Sequence, residues 1–160
     1  MQGRLEMMIV RLADHFPLRV SDWACAMILT LWGLIGFYVA PTTWDLPIFS
    51  GLAHIAPQII WATAAAFIGS ARLIALFING AVRRTPHVRA VGAFIAVFVW
   101  LQISLGLLWS DAIAPSLAVY PVLFIVDIYN VYRASEDARR ADIKHRYSRG
   151  AERYAERAEY

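Results

Sequence analysis

Four apolar runs, each about as long as a lipid bilayer is thick, constrain this chain more than any other feature. They cover 23–40, 58–78, 88–109 and 112–132. A helix rises about 1.5 Å per residue, so roughly 20 residues cross a hydrocarbon core of about 30 Å. The first run holds no charge. Arg72 interrupts the second, Arg89 and Gln102 the third, and Asp127 the fourth. Core helices of water-soluble domains carry a polar face and do not stay apolar all round for this length. A membrane β-barrel needs segments of about ten residues that alternate apolar and polar, and that alternation is absent. The chain is 59% hydrophobic and 17% charged, which excludes a disordered chain or a small disulfide-stapled module. The expected fold is an all-α membrane protein. Four transmembrane helices form a compact bundle over 23–132, between an N-terminal segment 1–22 and a charged tail 133–160.

The charges predict an orientation. Of the fifteen basic residues, thirteen lie before the first run, between the second and third, or after the fourth, and Arg89 stands at the edge of the loop between the second and third. The connections at 42–57 and 110–116 hold none, and Asp45 and Asp111 are their only charges. Basic residues are retained on the cytoplasmic side. Both termini are therefore expected to be cytoplasmic, and the scattered positive charge reads as a membrane signal rather than a nucleic-acid surface. Aromatic residues sit near the expected boundaries, with Tyr38, Trp44, Trp61 and Trp109 on the outer side and Trp23, Tyr129 and Tyr132 on the inner. Indole and phenol rings favour such interfaces because one end is apolar and the other polar. The first 22 residues mix acids and bases and do not read as a cleavable signal.

The flanking segments also carry patterns. Leu5, Met8, Ile9, Leu12 and Phe16 follow helical spacing opposite Arg4, Glu6, Arg11 and Asp14, as an interfacial amphipathic helix would. In the connection 41–57, Ile48, Phe49, Leu52 and Ile55 give one apolar face between Pro41, Pro47 and Pro57. That predicts a short helix lying on the surface or dipping between spans. Asn79-Gly80 is expected to close the second helix and Thr85-Pro86 to open the third. In the tail, Glu136 with Arg140 and Asp142 with Arg146 are favourable i,i+4 pairs. Ile143, Tyr147, Ala151, Tyr154 and Ala158 form a stripe along one helix face, able to touch a partner or another copy.

Charged and polar residues inside the runs are candidates for special roles. Arg72 and Asp127 have opposite signs and lie at about the same depth, roughly 10 Å from the basic boundary. Either they pair across the second and fourth spans, with Asn130 as a hydrogen-bonding neighbour, or each reaches separately to the interface. Gln102 and Ser104 can hydrogen-bond between helices. Ala62, Ala66, Gly69 and Ser70 belong to small-residue rows that let backbones approach closely, and Pro121 is expected to bend the fourth span. Cys25 reads as a small buried hydrophobe, and His54 and Asp45 as solvated. No metalloprotease, serine-hydrolase, phosphate-loop or CxxC motif occurs, and no histidine lies within a run. Neither enzymatic activity nor a metal or other cofactor is expected.

The stretch SARLIALFINGAVRRTPHVRA, followed by VWLQISLGLL and AVYPVLFIVDIYNVYRASEDAR, resembles small multi-span membrane proteins of unassigned function encoded by tailed bacteriophages. The resemblance covers 61–139. It implies a viral protein placed in the bacterial inner membrane and transfers no site residues. The functional expectation is a non-catalytic membrane interaction or structural protein. It would contact lipid, act as a homo-oligomer or a subunit of a membrane complex, and present its helical tail to a cytoplasmic partner or to its own copies. A holin-like pore former and a small-solute or ion transporter are the alternatives.

Overall fold

The computed structural model describes residues 19–81 and 86–158. Every regular element in it is helical. Helix α1 spans Val20–Tyr38. A connection follows with a single turn, α2 (Pro41–Trp44), a 3₁₀ turn (Pro47–Phe49) and the short α3 (Ser50–Ile55). Then come α4 (Gln58–Ala81), α5 (Pro86–Leu108) and α6 (Ser116–Ala158). Helices α1, α4, α5 and the first part of α6 are long and apolar enough to cross a membrane. They pack into one four-helix bundle, and the chain reads as a multi-pass membrane protein. The expected amphipathic segment before residue 19 and the Thr85 cap lie outside the described residues.

Helix α1 packs mainly on α4, and α5 on α6. Both pairs are antiparallel. Gly33 meets Ala62 and Ala66, while Gly69 meets Thr30. Along the second pair, Trp100 stacks on Tyr120 and Arg89 reaches Asp137. The small-residue row of α4 is what allows the first approach. A Cβ on Gly33 would fall on the Ala66 backbone nitrogen, and one on Gly69 would lie 2.5 Å from the Thr30 nitrogen. Without a hydrophobic effect to drive helices together in lipid, such close packing supplies much of the association energy.

The core centres on Leu29, Leu52, Trp100 and Ile103, all fully buried. Large apolar residues also cover the outside, including Phe67 (74% exposed), Phe94 (61%) and Phe98 (58%). An apolar exterior of this extent would aggregate in water, and acyl chains cover it in a bilayer. Helix α3 dips toward the bundle. A Cβ on Gly51 would fall on the carbonyl oxygen of Gly106, so α3 rests directly on the α5 backbone and drives Leu52 into the core.

Three local expectations change. Trp61 is not an interfacial ring: α3 covers it, and its indole nitrogen donates to the Leu52 carbonyl at 3.2 Å. Helix α4 does not stop at Asn79-Gly80 but runs on to Ala81, and Asn79 is buried. The fourth long helix begins at Ser116 rather than 112, after the turn at Pro115, and it continues through Pro121. Pro121 lies in its second turn.

The close contacts yield a graded prediction. Gly33→Ala places a methyl against rigid backbone and is expected to cost about 1–3 kcal/mol, the usual range for overpacking. Gly92→Ala meets only the flexible Arg72 stem at 3.2 Å and is expected to cost much less. Unfolding midpoints in detergent would rank the two, and equal losses would refute the packing argument.

Candidate functional site

The polar residues that the apolar helices cannot leave in lipid converge at one end of the bundle, where α1 begins and α4 leads into α5. Ser21 and Asp22 fall in the first turn of α1, and Arg89 in the first turn of α5. Arg72 lies just past the middle of α4. Asp127 and Asn130 are three residues apart on α6 and so share a face. Antiparallel packing brings all of them to a common depth.

Arg72 holds Asp127 in a two-pronged contact, with Nη1 to Oδ2 and Nη2 to Oδ1 both at 2.8 Å. The planar guanidinium matches the carboxylate plane, the strongest geometry such a pair adopts. Asn130 Nδ2 donates to Asp127 Oδ1 at 2.9 Å, and the Ser21 hydroxyl donates to Asn130 Oδ1 at 2.7 Å. Asp22 lies 3.8 Å from Arg72 and 3.4 Å from Arg89, and Arg89 reaches Asp137 at 2.7 Å. The sequence Asp127, Arg72, Asp22, Arg89, Asp137 alternates in sign and touches all four long helices. Asp127 is fully buried, and Asp22, Arg72 and Arg89 are each 5% exposed or less. A gap of about 10 Å³ between Asp22, Arg72 and Arg89 has the size of one water.

This arrangement is chemically quiet. Both carboxylates of the buried pair region face permanently charged guanidinium groups, which suits neutralisation and registration rather than proton transfer. A lone buried charge costs far more than the pair, so each partner holds the other in place. Among the described residues no cluster of His, Cys, Asp and Glu has a metal-binding arrangement.

The structure therefore brings together Arg72, Asp127 and Asn130, with Arg72 turned inward rather than toward the interface. Ala62, Ala66 and Gly69 lie against α1, and Ser70 is half-buried beside them. Ser104 does not bridge helices: its hydroxyl donates to the Trp100 carbonyl of its own helix at 2.7 Å, the local bond open to a serine on a helix. Gln102 is half-buried and makes no hydrogen bond among the described residues. Ile143 and Tyr147 are exposed on α6, whereas the side chains of Ala151, Tyr154 and Ala158 lie outside the description. Glu136 pairs with Arg140 at 3.2 Å and with Arg139 at 3.0 Å. Asp142 faces His87 of α5 at 3.3 Å, and no pair with Arg146 is found among the described residues.

Asp22, Arg89 and Asp137 were not visible as members of the network. Asp22 reads as part of the N-terminal segment, Arg89 as an orientation charge and Asp137 as a tail residue. The available signal was that each stands within about two turns of the same boundary, opposite in sign to a neighbour. Which of them face inward is not a property of spacing alone.

A double-mutant cycle tests the network. Arg72→Ala and Asp127→Ala are each expected to destabilise the bundle by about 3–5 kcal/mol, with the double change costing less than the sum. Strictly additive losses in detergent unfolding would show that the two groups do not support each other.

No family model matches this chain, and the comparisons with curated proteins and with solved structures find no match.

Proposed function

We propose that this chain is a non-catalytic anchor of the bacterial inner membrane, with both termini cytoplasmic, and that it presents the distal half of α6 to a cytoplasmic partner or to its own copies. The observation that carries this reading is the single uninterrupted helix Ser116–Ala158. Its 43 residues extend about 64 Å, roughly twice the thickness of a hydrocarbon core. The base of the projecting part is fastened to α5 through Arg89 with Asp137 and through His87 with Asp142. A helix held in this way transmits its orientation beyond the membrane, which a flexible tail cannot do. The exposed Ile143 and Tyr147 are the first residues of its contact stripe. The arginine distribution supports the cytoplasmic placement, and the resemblance over 61–139 supports a phage origin.

The buried charges weigh against the two alternatives. A holin-like pore or an ion carrier uses polar groups to line a path, whereas Arg72 and Asp127 satisfy each other inside a single bundle.

Expression of the full chain with a photo-crosslinking residue at Tyr147 tests the reading. Discrete cross-linked species, formed in cells whose membrane potential stays intact, are the expected result. Depolarisation at the onset of expression would favour the pore former. A label at Thr43 that reacts only from the cytoplasm would reverse the proposed orientation.

A further inference from the structure

At the end of the bundle opposite the charge network, a cavity of about 300 Å³ lies beneath the connection between α1 and α4. Its wall includes Trp32, Ile35, Trp44, Phe49, Gln58 and Tyr120. A cavity of roughly half this volume, lined by apolar side chains, is enough to take up benzene. Ile35, one of its lining residues, is 59% exposed on the face that lipid covers, which places the cavity beside the acyl-chain phase around the bundle. In a membrane those chains are the solvent, and an apolar recess beside them is filled by them.

The polar groups of the wall restrict the occupant further. The Tyr120 oxygen accepts from Trp32 Nε1 at 3.0 Å, and its own proton has no acceptor among the described residues. The Trp44 indole N–H is buried without a partner. Gln58 uses its amide nitrogen on the Gly36 and Val39 carbonyls, at 2.7 and 3.0 Å. The Tyr120 proton is thus the donor that the wall can offer an occupant, since the Trp44 N–H carries no exposed surface. None of its residues is cationic, which favours a neutral acceptor over a carboxylate.

We propose that the cavity holds one ester-linked acyl chain of a membrane lipid, with the ester carbonyl accepting from the Tyr120 hydroxyl. The chain lies against the rings of Trp32, Trp44 and Phe49. This site is independent of the tail and of the partner proposed above.

Native mass spectrometry of the full chain in detergent tests the site, with dioleoyl phosphatidylethanolamine and its ether-linked analogue as probes. The ester lipid is expected to be retained as one molecule per bundle, about five-fold better than the ether analogue, the factor a single hydrogen bond supplies. Tyr120→Phe is expected to abolish that preference. Val39→Trp fills the cavity and is expected to remove retention of both lipids, while Leu31→Trp on the exposed face leaves it unchanged. Equal retention of ester and ether lipids by the natural chain overturns the proposal. So does an ester preference that survives Tyr120→Phe, or stronger retention of a short-chain quinone than of either lipid. If Val39→Trp fails to fold, the ester–ether comparison and Tyr120→Phe still decide.

Discussion

The two-pronged contact between Arg72 and Asp127 sets the terms for the rest of the bundle. Neither charge is tolerable alone at that depth in a hydrocarbon medium, and together they are nearly neutral. Their contact demands that α4 and α6 face each other in one rotational setting, because only there does the guanidinium plane meet the carboxylate plane. Asn130 and Ser21 extend the setting to α1, and Asp22 and Arg89 extend it to α5. Four greasy helices could slide and rotate past one another at little cost. A shared polar network makes most of those alternatives expensive, the best-attested use of buried polarity.

Packing then completes what the network specifies. Gly33, Ala62, Ala66 and Gly69 let α1 and α4 meet backbone to backbone, at the approach where dispersion contacts are densest. At the opposite end, Gly51 against Gly106 lets α3 settle onto α5, and Leu52 and Trp61 close over the core. The bundle is thus polar and interlocked at one end, aromatic and partly hollow at the other. The long helix α6 continues past the interlocked end, so its distal half begins beside the polar network. The cavity lies at the hollow end, beneath the connection between α1 and α4.

Much of the architecture was legible from the chain. Four apolar runs of bilayer length, free of barrel-like alternation, leave few folds open. The basic residues outside those runs predict which connections share a side. The opposite signs and matched depths of Arg72 and Asp127 made their pairing geometrically allowed, and the small residues of α4 marked a close helix contact. Each of these inferences uses distance along a single helix, which sequence spacing encodes directly.

The sequence by itself determined the number of membrane-length helices and the approximate depth of Arg72 and Asp127 along them, since a regular helix converts residue number into height. Only the tertiary structure decided rotation and partner. It turned Arg72 inward, drew Asp22, Arg89 and Asp137 into one network, gave Asp142 to His87 rather than Arg146, and buried Trp61 beneath α3. Those choices depend on which faces of separate helices meet, and a contact between helices has no fixed spacing in the chain from which to read it.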